Sequence, residues 1–442
     1  MKTLIKNGTI ITVDAQDRVF KKGWILIEND VIAALGEGAP SEDIVADRIV
    51  DASGKAVLPG IVNIHTHVSG TLFKALTEDP DNGFYGLAMT MEQYYTEEYA
   101  YALSMLGAAE CLKSGVTCIN DTYHYAKHTA KAVDDLGMRG VIAQQIHEIE
   151  MTSIRSGAYT RIEAEGRKRL EENCDLIERY HGKDGRIFCR FGPHAVDTVS
   201  LELGKEIVDL ANRYQVGFHT HAGQYPIELD HLKAKYGLSP MEYLRETGML
   251  GENLIVAHGI LLSDTDLKLL EDSGAVLAHC PEIYGKRGFL PAVEKIYDSN
   301  IRMGYGTDWV TMDSWTTMRT AIMAARWKGC RLANPNAHTA LRLSTIEPAK
   351  ALGLADRIGS LEVGKQADLQ MLDLQAPHLV PMFDDPIATL VYNANRNDVT
   401  DVWVAGEKVV SDGKLVKADE AEVLKEGQKA ASAIYHTYLE NR

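Results

Sequence analysis

The sequence predicts an α/β protein with a (β/α)8 TIM barrel at 58–360, a discontinuous β-sandwich domain at 1–57 and 361–416, and a C-terminal helical tail at 417–442. Three observations lead to this fold class. Apolar runs alternate with amphipathic stretches through the middle of the chain, which is typical of α/β folds. Eight strand candidates occupy roughly 300 residues there, a span that suits an eight-stranded barrel. Short strands separated by turn residues occur at both chain ends, and two such pieces most simply form one β domain.

The terminal segments contain turn signals between apolar runs. Asn7-Gly8 lies between two such runs and predicts a hairpin. A second hairpin is predicted around 29–30 and a third within 402–410, while 367–374 is typical of a single strand. A polar helix is expected from about Asp419.

The predicted barrel strands are 61–67, 116–121, 139–146, 186–194, 216–222, 254–258, 275–280 and 302–308. Two helix starts between them are predicted by a serine followed three residues later by a glutamate, at Ser239 and Ser344. In a barrel of this kind catalytic groups lie at the C-terminal ends of the strands. Those ends are therefore where functional residues are expected.

Composition narrows the possible partners and compartment. The 442 residues include 46 basic and 62 acidic side chains, a net charge of −16, which disfavours nucleic-acid and anionic-membrane surfaces. No apolar run approaches the ~20 residues of a membrane span, and the start lacks a signal peptide. Six scattered cysteines without a CxxC pair predict reduced thiols in a cytoplasmic protein. A small-molecule substrate is the expected partner.

Histidines recur where the predicted strands end. The first strand ends in His65 and His67, which point to the same side because alternate residues of a strand share a face. Later strands end in His219 and His221, His258, His279, and Asp308. Imidazoles with one carboxylate at converging strand ends suit Zn²⁺ or another borderline divalent ion. The alternative is a set of unrelated core histidines that lie at strand ends by accident.

These motifs resemble the amidohydrolase superfamily, in the branch of chlorohydrolases, cytosine deaminases and adenosylhomocysteine-type deaminases. The resemblance runs nearly end to end and rests on LPGIVNIHTH (58–67), GPH (192–194), VAHG (256–259), HCP (279–281), GTD (306–308) and GSLEVGKQAD (359–368). It implies a hydrolase that uses a metal-activated water on a nitrogen-flanked carbon of a small compound and releases ammonia or an amine. The compound is expected to be cyclic. It also implies a homo-oligomer.

The same resemblance implies roles for individual residues. The metal ligands would be His65, His67, His221 and Asp308, and Asp308 would also move the proton of the attacking water. His258 would hydrogen-bond that water or the developing oxyanion. The roles of three other histidines have alternatives. His194 and His279 either contact the substrate or support residues that do, and His219 either packs in the interior or supports a metal ligand. The fourth strand contains no lysine to bridge two metals, which favours one ion, Zn²⁺ or Fe²⁺.

One position departs from the family pattern. Deaminases of this branch carry His-x-x-Glu after strand five, with the glutamate as a proton donor, whereas this chain has Gln224 three residues after His221. An amide forms hydrogen bonds but transfers no proton as a carboxyl group does. Either Asp308 performs all proton transfer or another acid such as Glu228 compensates. Gln224 is expected to orient substrate.

Gln224 keeps two alternatives to deamination open. These are amide or urea hydrolysis and triazine-type dechlorination; a non-catalytic scaffold is a remote third. Trp309 is expected to shape the pocket or to pack beside it. The loops 71–81 and 123–125 are candidate pocket walls, with solvated surface loops as the alternative.

Overall fold

The computed structural model describes residues 1–80 and 83–442. The strands are β1 Lys2–Ile11, β2 Val19–Glu28, β3 Val31–Glu37, β4 Arg48–Asp51, β5 Lys55–Pro59, β6 Ile61–Thr66, β7 Val116–Tyr123, β8 Arg139–Ile146, β9 Ile187–Cys189, β10 Gly192–Pro193, β11 Phe218–Ala222, β12 Leu254–His258, β13 Val276–His279, β14 Arg302–Tyr305, β15 Leu369–Asp373, β16 Val399–Val404, β17 Glu407–Ser411 and β18 Lys414–Leu415.

The α-helices are α1 Met89–Glu92, α2 Glu97–Lys113, α3 Ala126–Asp135, α4 Glu163–Tyr180, α5 Leu201–Tyr214, α6 Pro226–Tyr236, α7 Pro240–Thr247, α8 Asp264–Ser273, α9 Pro281–Gly285, α10 Val293–Tyr297, α11 Ser314–Trp327, α12 Ala337–Arg342, α13 Ile346–Ala351, α14 Pro386–Asn393 and α15 Glu420–Glu440. A π-helix spans Gly83–Ala88. Within the described residues, no helix is both long and apolar enough to cross a membrane.

Both chain ends contribute to one nine-stranded sheet. Its order is β18-β17-β16-β15-β5-β1-β2-β3, with β4 beside β1. The two ends meet where β5 and β15 pair antiparallel, with Leu369 opposite Pro59. The hairpin predicted at Asn7-Gly8 is wrong: β1 continues through it, and Asn7 (φ 68°) marks a register shift against β2. A left-handed residue permits either a turn or a bulge, and here the ten-residue pairing with β2 selects the bulge.

The remaining strands are parallel and follow chain order. One sheet contains β6, β7, β8 and the short β9 and β10, and a second contains β11 to β14. Parallel bridges Phe191–Phe218 and Ala195–His221 connect the sheets on one side, and Thr66–Asp308 connects them on the other. The fold is therefore TIM-barrel-like α/β. Every predicted barrel segment contains a strand, although the fourth is divided into β9 and β10.

The two predicted helix starts had different outcomes. Ser239 forms a capping box with Glu242 at the start of α7, as predicted. The prediction at Ser344 is wrong, because α13 begins after Thr345 and the Ser344 hydroxyl has no hydrogen-bond partner within residues 1–80 and 83–442. The Ser344 carbonyl instead accepts from the Val62 N–H, which ties this residue to β6.

Two contacts attach the remaining parts to the parallel strands. Arg139 of β8 is fully buried and donates to both carboxylate oxygens of Asp368 at 2.9 Å, just before β15. The C-terminal helix α15 packs on α2, where Gly427 lies against Leu106. Because the strands of the ring are parallel, the C-terminal ends of β6, β11, β12 and β14 lie together at one end of it.

Candidate metal centre and active site

Three imidazoles and one carboxylate meet at the C-terminal ends of the strands. The Asp308 Oδ1 atom lies 3.7 Å from His65 Nε2 and 3.5 Å from His67 Nε2. The Nε2 atoms of His67 and His221 are 3.2 Å apart. The structure thus brings together the four side chains that the sequence predicted as metal ligands, from β6, β11 and the loop after β14.

The backbone holds Asp308 against the end of β6. The Asp308 N–H donates to the His65 carbonyl at 3.0 Å, and the Thr66 hydroxyl donates to the Asp308 carbonyl at 2.9 Å. Asp308 itself is in the left-handed region with φ 63°. A non-glycine residue there is strained and persists only where its surroundings hold it. Here the strained backbone places the carboxylate at the histidines.

The outer ring nitrogens of the histidines are occupied by protein groups. His67 Nδ1 donates to the Thr122 carbonyl and His221 Nδ1 to the His194 carbonyl. His65 Nδ1 lies 2.7 Å from His219 Nε2, and His65 Nε2 is buried without a hydrogen-bond partner among the described residues. Such outer hydrogen bonds leave Nε2 as the available nitrogen of each ring, as in metal-binding histidines.

The protonation states also suit a metal. Burial lowers the pKa of His65 and of His67 to about 3, and that of His221 to about 4, so all three are neutral near pH 7. Burial raises the pKa of Asp308, opposed by the nearby His67 and His221. Three neutral imidazoles and one carboxylate are a donor set that fits Zn²⁺ or a similar ion. The buried His65 Nε2 atom is available as one of these donors.

His258 lies beside this cluster at the end of β12. Its Nε2 atom is 3.9 Å from Asp308 Oδ2, and its ring stacks on that of His221 at 5.2 Å. Its ligand atoms also come within 4.8 Å of those of His65 and His221. Burial lowers the pKa of His258 well below its ordinary value, so the ring is neutral.

A cavity opens above the cluster and contains most of the predicted substrate contacts. Gln224, His194 and Trp309 line it. Trp309 also packs against Phe73, with ring centroids 4.8 Å apart, so it both shapes the cavity and belongs to the packing. His279 is absent from the described lining: it faces Tyr305 across the β13–β14 pair. Its Nε2 has no hydrogen-bond partner in the part of the chain that the structure describes.

The carboxyl group that could replace a glutamate at Gln224 is turned away from the cavity. Glu228 is buried, and its two oxygens accept from the Gly223 and Gln224 N–H groups at 2.5 and 3.0 Å. Glu228 is also absent from the described lining. It acts as a backbone cap for the turn that carries Gln224.

Sequence reasoning missed four lining residues that carry polar groups: Glu92, Gln145, Tyr284 and Arg287. Glu92 accepts from the Tyr123 hydroxyl and lies 3.3 Å from His124 Nε2. Burial raises the pKa of Glu92, but His124 and Tyr123 outweigh it and hold that pKa below its ordinary value. No motif marks these residues. Gln145 lies within β8, and the only signal for the other three is their position after strands one and seven.

An outer cavity of ≈ 400 Å³ adjoins the inner one, and Phe84 and Arg287 line both. Glu78 and Asp79 from the predicted pocket-wall loop 71–81 line the outer cavity; Asp81 lies outside the described residues. In the other candidate loop, Tyr123 lines the inner cavity.

A TIM-barrel-like ring of strands with a histidine–aspartate cluster at its C-terminal end places the protein in the class of α/β barrels with a candidate metal site. Residues 56–409 match the amidohydrolase family. The 5'-deoxyadenosine deaminase of Methanobrevibacter smithii is 34% identical over 421 residues, which cover 92% of this chain and 93% of that protein. The 5-methylthioadenosine/S-adenosylhomocysteine deaminase of Pelotomaculum thermopropionicum is 33% identical over 439 residues, which cover 97% of this chain and 98% of that protein.

A solved structure agrees with these relatives. The adenosine deaminase from Xanthomonas campestris, crystallised with bound zinc, matches with a TM-score of 0.88 and 28% identity over 98% of both chains. The chain belongs to the amidohydrolase family, which confirms the predicted resemblance. It is therefore a hydrolase of the amidohydrolase type.

Proposed function

We propose that this protein is a metal-dependent deaminase that removes the exocyclic amino group of an adenine-type nucleoside. The observation that carries the proposal is the cluster of His65, His67, His221 and Asp308 beneath a cavity lined by polar groups. The activities named for the similar deaminases support the substrate class.

In this proposal His65, His67, His221 and Asp308 would hold one Zn²⁺ or Fe²⁺ ion. When bound, such an ion would supply a water of lowered pKa as the nucleophile. Asp308 takes a proton from the attacking water and delivers it to the leaving amine. His258, 3.9 Å from Asp308, hydrogen-bonds the attacking water. The water oxygen forms a bond to the ring carbon while the π electrons of the ring C=N bond move to the ring nitrogen. Return of this pair re-forms the C=N bond and breaks the bond to the exocyclic amino group, which leaves as ammonia with the proton from Asp308.

In this proposal the polar residues that line the cavity bind the rest of the substrate. Gln224 hydrogen-bonds the ring and His194 contacts the substrate beside His221. The Glu92 carboxylate can accept hydrogen bonds from hydroxyl groups, which suits a sugar substituent. The cavity volume is only ≈ 40 Å³, so a nucleoside enters when side chains such as Met89 and Met151 shift. Methionine has three rotatable bonds and adapts readily.

The remaining predictions are proposed in the same form. We propose a β-sandwich domain from 1–57 and 361–416, a barrel at 58–360 and a tail at 417–442. In support of the sandwich, Gly406 in the β16–β17 turn lies against Asn29 in the β2–β3 turn although three strands, β15, β5 and β1, lie between them. Six unpaired cysteines support a cytoplasmic location. The homo-oligomer rests on the family resemblance alone.

Ammonia release is the direct test. The zinc-loaded protein is assayed with adenosine, 5'-deoxyadenosine, 5'-methylthioadenosine and S-adenosylhomocysteine, and with guanine, aminotriazines and ureas as contrasts. Ammonia from one of the adenine nucleosides, lost in Asp308→Asn and after chelation, supports the proposal. Gln224 favours a second candidate, hydrolysis without ring protonation, for which amine or chloride release from triazines or ureas would be the result. Exclusive release from those compounds would replace the deaminase proposal.

A further inference from the structure

Tyr284 lies in the cavity wall between Gln224 and His258 and has no role in the chemistry proposed above. Its hydroxyl donates to Gln224 Oε1 at 3.3 Å, and both side chains are buried. Its ring packs edge-on against the His258 ring, with centroids 4.7 Å apart. Tyr284 therefore connects the amide that faces the substrate with the histidine beside the reacting atoms.

The backbone beneath Gln224 is held from two sides. Glu228 accepts the N–H groups of Gly223 and Gln224, and the Gly223 carbonyl accepts from the Leu261 N–H at 2.8 Å. Gly223 has φ +69°, a left-handed conformation in which a side chain would be strained. With the backbone fixed in this way, the direction of the Gln224 amide depends on its side-chain partner.

That partner fixes which end of the amide faces the cavity. Burial raises the pKa of Tyr284 well above its ordinary value, so the phenol keeps its proton and can donate. The Gln224 oxygen is thereby occupied. Within residues 1–80 and 83–442, Gln224 Nε2 makes no hydrogen bond. The two N–H groups of that nitrogen are the part of the amide left to bind a ligand.

We infer that Tyr284 is a positioning residue that holds Gln224 Nε2 as a hydrogen-bond donor, so that the site selects heterocycles whose ring nitrogen carries a free lone pair. This inference rests on the proposed deaminase function for the identity of the ring. If the ligand ring carried an N–H group at this position, that group and Gln224 Nε2 would be two donors facing each other. If it carried a C–H group, the largely buried Gln224 amide would have no hydrogen-bond partner in the ligand. The substrate class is therefore the aromatic aminated heterocycle with an unprotonated ring nitrogen.

Calorimetric binding tests the inference without turnover. The ligands are purine ribonucleoside, which has no amino group to release, and its 1-deaza and 3-deaza counterparts, in which C–H replaces one ring nitrogen. The zinc-loaded wild type is expected to bind the parent about tenfold more tightly than one of the two deaza compounds. Gln224→Ala should abolish this preference, and Tyr284→Phe should reduce it about three- to tenfold.

Kinetics separate positioning from catalysis. With adenosine, Tyr284→Phe should raise KM more than it lowers kcat and leave the pH profile of kcat in place. The matched control is Tyr297→Phe, which removes a buried phenol hydroxyl bonded to Tyr305 at 2.6 Å outside the described cavity lining. This control should keep both the activity and the preference of the wild type.

The outcomes distinguish the inference from the proposed function. The inference is overturned if Tyr284→Phe binds the three ligands with the affinities and the preference of the wild type. It is also overturned if the preference survives in Gln224→Ala, or if none of the three ligands binds. Binding preference without ammonia release from any adenine nucleoside would refute the deaminase proposal and leave the inference supported. Ammonia release without the preference would refute the inference alone.

Discussion

His219 offers the sharpest test of how the candidate metal centre is held. It is fully buried, and its Nε2 lies 2.7 Å from His65 Nδ1. For His65 Nε2 to bind a metal as a neutral ring, Nδ1 must carry the proton and donate it to His219. The change His219→Phe keeps a planar ring but removes that acceptor, and it leaves a buried N–H unpaired.

The expected loss follows from this single hydrogen bond. An unpaired buried donor costs about 1–3 kcal/mol, and loss of an outer hydrogen bond to a ligating histidine lowers metal affinity about 10- to 100-fold. Since a tenfold change corresponds to about 1.4 kcal/mol, the two figures agree. We therefore expect His219→Phe to weaken zinc binding by one to two orders of magnitude.

Zinc affinity is measured by competition with a chromophoric chelator at pH 7, with circular dichroism to check folding. The matched control is His147→Phe, which removes a buried ring whose Nδ1 bonds the Ile149 carbonyl at 2.9 Å and which is outside the described cavity lining. The control should retain zinc as the wild type does. Unchanged zinc affinity in a folded His219→Phe protein would show that His219 only packs.

Four further outcomes are expected. Asp308→Asn should lose turnover by several orders of magnitude while circular dichroism stays native, and near-normal kcat with metal retained would place the proton acceptor elsewhere. Gln224→Glu should bring no gain in kcat on the native substrate, whereas a large gain would restore the glutamate mechanism. Arg139→Met should lower the free energy of unfolding in urea by about 3–5 kcal/mol, because Asp368 would remain buried without its partner; an unchanged midpoint would contradict this. Burial lowers the pKa of His279 to about 4. Between pH 6.5 and pH 4 the His279 ring therefore takes up a proton in the unfolded state but not in the folded state, so the free energy of unfolding decreases as the pH falls. His279→Phe should recover about 2 kcal/mol of the loss between pH 6.5 and pH 5; an identical slope would count against it.

The sequence alone determined the order of strands and the set of residues at their ends. His65, His67, His221 and Asp308 each lie in or directly after an apolar run, so locating the strand also locates the side chain. The carboxyl ends of parallel strands in a ring share one edge, which is why residues at distant strand ends could be predicted to meet. The choice of these four among them came from the family resemblance. Turn signals in the sequence were less reliable where strand pairing acts on the same residues. The Asn7-Gly8 pair permits a turn, but the pairing of β1 with β2 on both sides of it produces a bulge.

Only the tertiary structure decided which polar groups face the substrate. Glu92, Tyr284 and Arg287 come from segments without a motif and enter the cavity through contacts between loops far apart in the chain. Glu228 is four residues from Gln224, yet its carboxylate caps backbone N–H groups instead of facing the cavity. His279 ends a strand as the ligands do, but it packs towards Tyr305. Strand periodicity specifies a side of the strand, whereas the direction of a side chain depends on the partners that its backbone and neighbours leave available.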